Sequence, residues 1–187
     1  ADKLGLFLQV EMTRGTDIKN IKTNLVGEYN LPNVLVAVAV GKYFSVKEEA
    51  IQNAIAHYLP SNSRSQLIEK GGNQIILDAY NANPSSMKAA IENFASMQGD
   101  DKILFLGAMM ELGNESIAEH RSIINLIDQY HWKAVVLVGG DFKNIIHEYL
   151  FFQKAEEAKE WLQKQAYNGV KLLVKGSRSV QMEKILE

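Results

Sequence analysis

The chain contains no cysteine, so disulfides and thiolate metal sites are excluded. Its four histidines, at 57, 120, 131 and 147, are scattered without HExxH spacing, which argues against a zinc centre, and no metal site is expected. Basic residues are not in excess: 20 Lys and Arg stand against 22 Asp and Glu, for a net charge of −2. A general nucleic-acid surface needs the opposite balance, so nucleic acid is not an expected partner. No apolar run reaches the ~18 residues of a membrane span. No signal-peptide pattern precedes the first strand, and a soluble, cytoplasmic protein without membrane insertion is the expectation. Glycines are present but not as a GxxxxGK[ST] loop, and Gly139-Gly140-Asp141 lacks dinucleotide-fingerprint spacing. If ATP is used, its main phosphate loop is expected outside these residues. The start at Ala1 is read as that of a fragment.

What the chain does have is apolar mass. Hydrophobic residues make up 47% of its 187 positions, enough for a real core in one domain, or one domain and part of another. Residues 4–12 and 21–25 read as strands around a turn at Arg14-Gly15-Thr16-Asp17. An apolar helix is expected over 32–44, with Pro32 in its first turn. A second is expected over 47–58, capped by Ser45 with Glu48 as a capping box. Leu59-Pro60-Ser61-Asn62-Ser63 reads as a linker. Beyond it the rhythm changes. A hairpin (66–70 and 74–77 around Gly71-Gly72-Asn73) is followed by helices at 84–98, 116–130, 142–149, 155–166 and 179–186. These alternate with strands at 102–106, 134–138, 150–153 and 170–174. Ser116 and Glu119 read as a further capping box. The alternation predicts an α/β class: a mainly parallel, Rossmann-like sheet with helices on both faces.

In such sheets ligands collect at the carboxyl ends of strands. Three runs fall there. Asp78-Ala79-Tyr80-Asn81-Ala82-Asn83-Pro84 ends a strand and opens a helix. Asp78 is placed to accept from ribose hydroxyls, to hold a cation, or simply to cap the loop. Asn81 and Asn83 suit side-chain-to-backbone bonds, and Asn83 before Pro84 reads as an N-cap. Leu106 to Gly113 offers Glu111 to a ligand and Met109 and Met110 to an apolar pocket or the core. Lys175-Gly176-Ser177-Arg178 puts two cations and a glycine at a helix start, an anion site or a solvated turn capped by Ser177. Asn30 and Asn33 open the apolar helix, where capping is the expected role. Arg64 is a surface charge or a phosphate partner, and His120 reads as part of a solvated helix face.

Together these runs, with Leu25 to Asn33 and Asn62 to Gln66, resemble the Mur ligases of peptidoglycan synthesis. They occur in the family's order and cover almost all the chain beyond residue 20. The Asp-Ala-Tyr-Asn-Ala-Asn-Pro and Lys-Gly-Ser-Arg runs are similar to the branch whose acceptor is D-Ala-D-Ala. The resemblance implies an ATP-dependent, amide-forming ligase. In it residues 1–65 are the C-terminal part of a central ATPase domain and 66–187 a Rossmann-like C-terminal ligase domain. It implies ATP and Mg²⁺ as cofactors, the Mg²⁺ ligands and P-loop lying mostly upstream, and UDP-MurNAc-tripeptide and D-Ala-D-Ala as partners. A monomer, inactive as a fragment, is expected. By the same likeness Asn30, Asn33, Arg64 and Asp78 contact ATP. Asn81, Asn83, Glu111, Lys175, Ser177 and Arg178 are substrate-side. No residue of the fragment is assigned as catalytic. The family loop written Gly-Asp-Met-x-Glu-Leu-Gly has Ala108 here in place of its Asp. Sibling ligases adding diaminopimelate or lysine, and folylpolyglutamate synthase, share fold and reaction, but the Asp-Asn-Pro-Arg acceptor motif common in the former is absent. A non-catalytic nucleotide-binding module is the alternative from another class.

Overall fold

The computed structural model describes residues 7–187, which separate into two compact units meeting at Ser61 and Asn62. In the first, β1 (Phe7–Glu11) pairs antiparallel with β2 (Asn20–Val26). The part of the first expected strand at residues 4–6 lies outside the described residues. The helices α1 (Leu31–Tyr43) and α2 (Glu48–His57) follow. Leu8, Val10, Ile18, Ile21, Val34, Val38 and Ile51 form the core. The helices touch at Gly41, where a Cβ would sit 2.8 Å from the Ile51 side chain, so only glycine allows that approach.

The expected cap of α2 is not made. Ser45 adopts a left-handed φ of 56°, the N-cap position is Lys47, and no side chain caps it. Glu48 instead accepts from the Asp17 backbone N–H at 2.6 Å and pairs with Lys42. These partners hold its carboxyl at about 2, the Lys42 hydrogen bond contributing most and Thr16 next. On α1, only Val34 and Val38 are buried, while Val36, Val40 and the following Phe44 are 61%, 49% and 70% exposed.

The second unit is a six-stranded sheet in the order β3-β4-β8-β5-β6-β7. Its strands are β3 (Gln66–Lys70), β4 (Asn73–Asp78), β5 (Lys102–Gly107), β6 (Ala134–Val138), β7 (Leu150–Phe152) and β8 (Lys171–Lys175). Every neighbouring pair is parallel except the β3–β4 hairpin. Helices α3 (Pro84–Ser96) and α4 (Ser116–Ile127) pack against each other. Helix α5 (Ala155–Gln165) packs on the C-terminal turn Met182–Leu186. Alternation along each strand sorts the core. Ile75, Leu77, Ile103, Phe105, Leu172 and Val174 join Ala155, Ala158, Met182 and Ile185 in one cluster. The intervening positions, Asp78 and Lys175 among them, face the other way. The last strand in sequence thus lies between β4 and β5, and the parallel sheet is the α/β architecture expected.

Two expected helices are 3-10 turns. Residues 142–149 carry one only over Gly140–Asn144. Phe142 and Ile145, three apart, are buried while Ile146 is 99% exposed, a pattern compatible with three residues per turn. Over 179–186 the chain makes two turns, Arg178–Val180 and Met182–Leu186, interrupted at Gln181 with φ 56°. The Ser116–Glu119 capping box is likewise absent; the Ser116 hydroxyl donates instead to Asp141 Oδ2 at 2.5 Å. Among the described residues, no helix is long and apolar enough to cross a membrane.

Candidate functional site

Asp78 and Lys175 end neighbouring parallel strands in direct register. Equal register in a parallel pair puts both side chains on one face, here at the carboxyl edge of the sheet. Lys175 is 1% exposed, and its Nζ donates to Asp78 Oδ2 at 2.6 Å and to the Asn81 carbonyl at 3.3 Å. The other carboxylate oxygen, Oδ1, accepts the Ser65 backbone N–H at 3.1 Å. Asp78 is therefore oriented by donors on both oxygens, with 16% of its side chain still accessible. A carboxylate oxygen can take a second donor, so the accessible edge remains an acceptor for hydroxyls.

The segment that supplies Ser65 folds back over the same strand end. The Ser63 carbonyl accepts from the backbone N–H groups of Ala79 and Tyr80, at 2.8 and 3.2 Å. Asn62, Ser63 and Ser65 all hold left-handed φ, at 56°, 57° and 45°. Non-glycine residues in that region cost energy and concentrate at ligand clamps. Arg64, inside this tight run, is exposed, its guanidinium carbon 3.6 Å from the Tyr80 ring centre. A cation stacked there keeps its N–H edge free for an anion.

The loops beside it are tied together by side chains. The Ser177 hydroxyl accepts the Met110 backbone N–H at 3.0 Å and donates to the Ala82 carbonyl at 3.4 Å, and its own N–H donates to the Ala108 carbonyl at 3.2 Å. At 3% exposure it is an internal bridge between the three strand-end runs; it makes no side-chain cap. Asn83 is the N-cap of α3: its Oδ1 accepts from Ser86 N at 2.8 Å and Ser85 Oγ at 2.9 Å, while Ser86 Oγ accepts from Asn83 N. Asn81 Oδ1 accepts from Ala82 N at 2.9 Å and the residue is exposed. Glu111 is exposed with φ 64°, and Arg178 is exposed beside Glu183, 3.0 Å from its carboxylate. Ala108 is fully buried, packed where Gly140 leaves no room for a Cβ.

In the first unit, Asn30 and Asn33 do not cap α1 through their side chains. Asn30 is buried and donates to the Val26 carbonyl at 2.8 Å, and Asn33 donates to Asn30 Oδ1 at 3.0 Å. Asn33 itself is exposed.

His120 reverses its expected place. It is completely buried, its ring edge-on to Phe142. Its Nδ1 donates to the Ser116 carbonyl at 2.7 Å, and Nε2 accepts the Met109 backbone N–H at 3.0 Å. Ser116 in turn reaches Asp141, whose carboxyl this hydroxyl, with Asn144, holds below the usual carboxylate range. The sequence carried a usable signal: Ile123, Ile124 and Ile127 stand three, four and seven residues after His120, which puts it in the apolar stripe of α4. Tyr80 as the platform for Arg64 had no such signal, because the approach depends on the left-handed turn at residues 62–65. Among the described residues, no group of three or more His, Asp or Glu is placed to hold a metal ion.

Residues 63–178 match the family described as Mur ligase, glutamate ligase domain. Among curated relatives, the UDP-N-acetylmuramoyl-tripeptide–D-alanyl-D-alanine ligase of Bacillus subtilis is 29% identical over 174 residues, covering 87% of this chain and 38% of the relative. That of Escherichia coli is 32% identical over 168 residues, covering 87% and 37%. A crystal structure of MurF from Acinetobacter baumannii aligns with a TM-score of 0.80 at 26% identity, over 98% of this chain and 43% of its own. The chain thus spans about two fifths of the length of the relatives it matches.

Proposed function

The chain belongs to the Mur ligase family, and from that premise we propose that it is the C-terminal portion of the ATP-dependent ligase joining D-Ala-D-Ala to UDP-MurNAc-tripeptide in peptidoglycan synthesis. In that reaction ATP phosphorylates the tripeptide carboxylate. The amine of D-Ala-D-Ala then attacks the acyl phosphate, the amide forms and phosphate leaves. The observation that carries the reading is the Asp78 carboxylate at a strand end, oriented by Lys175 and the Ser65 N–H and flanked by the stacked, outward-facing Arg64. An oriented acceptor beside a cation suits a ribose and its phosphates.

In this reading Asp78 accepts from the ribose hydroxyls and Arg64 contacts the nucleotide, its stacked guanidinium held in place before ligand arrives. Asn30 and Asn33 of the first unit are carried as further nucleotide contacts. Asn81, Asn83, Glu111 and Arg178 present the substrate side, while Lys175 and Ser177 act through the groups they hold. Residues 1–65 are the tail of a central ATPase domain, an assignment supported by α1: its exposed Val36 and Val40, with the following Phe44, are the surface of a helix made for the inside of a larger body. The P-loop and the magnesium ligands belong to that body. The whole enzyme is cytoplasmic and monomeric, and this chain alone is inactive.

The test is phosphate release by the full-length ligase, supplied with ATP, tripeptide substrate and D-Ala-D-Ala. Release that requires the dipeptide and falls at least tenfold in Asp78→Ala supports the proposal. Release indifferent to both the dipeptide and Asp78 overturns it and leaves a nucleotide-binding module.

A further inference from the structure

His120 is a fully buried ionisable side chain to which the reading above gives no part. Its hydrogen bond to the substrate-side loop is made to the backbone. Two successive N–H groups of that loop are taken by buried side chains from different elements: Met109 N–H by His120 Nε2 on α4, and Met110 N–H by Ser177 Oγ beyond β8. The ring can serve Met109 in only one arrangement. The Ser116 carbonyl requires a donor, so Nδ1 carries the hydrogen; Nε2 is then the acceptor that the Met109 N–H requires. Phe142, edge-on to the ring with centroids 4.6 Å apart, fixes its plane. Met110 and Glu111 are exposed, and one residue past this double hold the chain turns left-handed at Glu111.

We infer that His120 is a positioning residue for the acceptor dipeptide: by holding Met109 N–H it sets where Met110 and Glu111 stand. This rests on the assignment of the Leu106–Gly113 loop to the substrate side. A histidine there, and not an aliphatic residue of the same stripe, is needed because Met109 N–H is buried and without the ring it has no acceptor; a buried unpaired donor costs as much as a lost hydrogen bond. The second hold, at Ser177, also reaches Ala82, so the Asn81–Asn83 run and the Glu111 loop share one support.

Three measurements test the inference. In the wild-type chain, ring nitrogen NMR should show His120 as the Nδ1–H tautomer; the Nε2–H tautomer overturns the clamp without any variant. Next, amide exchange at Met109 should speed up by roughly tenfold in His120→Leu and return toward wild type in His120→Gln, whose side-chain carbonyl restores an acceptor. Unchanged exchange in His120→Leu also overturns it. Finally, in the full-length ligase, His120→Leu should raise KM for D-Ala-D-Ala by roughly tenfold, leave KM for ATP alone, and be rescued by Gln. A faster Met109 exchange with no change in the dipeptide KM overturns the acceptor role. If wild-type enzyme shows no dipeptide-dependent release, the ligase reading has failed, and the tautomer and exchange results still decide the clamp.

Discussion

Replacing Lys175 by Met removes the cation from a carboxylate that the fold has largely taken out of water. At the observed 2.6 Å, two unit charges attract by about 6 kcal/mol for an effective dielectric near 20, a gross figure that desolvation of both groups offsets in large part. The cost of breaking such a pair is mainly that of the charge left behind, typically ~3–5 kcal/mol. Asp78 would keep the Ser65 N–H and its partial access to water, so Lys175→Met should cost about 3 kcal/mol. Asp78→Leu strands the ammonium in the same way, with only the Asn81 carbonyl for company. The double variant leaves no charge behind and should cost less than the sum of the singles by at least ~2 kcal/mol. Urea unfolding followed by tryptophan fluorescence measures this directly, because Trp132 and Trp161 both lie in the second unit and report that sheet alone. Additivity within ~0.5 kcal/mol would refute the buried-pair argument.

Two further outcomes are expected. Glu48, lowered to about 2 from an ordinary 4.5, has a depressed folded value. Its contribution to the first unit is therefore present above pH 4.5 and lost as pH falls toward 2. Glu48→Gln should flatten acid unfolding of that unit in this window, and identical circular-dichroism profiles would count against the Lys42–Glu48 contact. Gly140 holds φ 53° with its ideal Cβ 2.3 Å from Ala108 Cβ, so Gly140→Ala should destabilise by about 3 kcal/mol from backbone strain and overpacking. Adding Ala108→Gly should recover only the overpacking share in thermal unfolding; full recovery would remove the strain argument.

The sheet was legible because β5, β6 and β8 are short apolar runs at regular intervals, each bounded by polar turns. The hairpin at Gly71-Gly72 and the cap at Asn83 were legible because local chemistry alone decides them. Capping by Ser45 and Ser116 failed for two different physical reasons. A hydroxyl at a helix start competes with tertiary partners, and Asp141 took Ser116, while backbone geometry at Ser45 removed it from the helix. The two lost helices show the same limit, since the apolar spacings 142/145 and 182/185 fit a 3-10 turn as well as an α-helix. At the site, Asp78 and the Lys175 run stood out as strand-end residues, but nothing in the sequence paired them. That pairing follows from β8 lying beside β4, a placement 97 residues distant along the chain.

That placement has a consequence for how the protein is made. Chains emerge from the ribosome in order, and β4 and β5 are complete long before β8. Until residues 171–175 appear, both would-be neighbours present unpaired inner edges, and Asp78 has no counterion. A product cut short before β8 therefore carries two sticky strand edges and a stranded carboxylate at its centre, the features that mark a chain for aggregation or degradation. Completion of the sheet and the pairing of Asp78 with Lys175 become a single late event, so any molecule that has closed its sheet has also oriented that carboxylate.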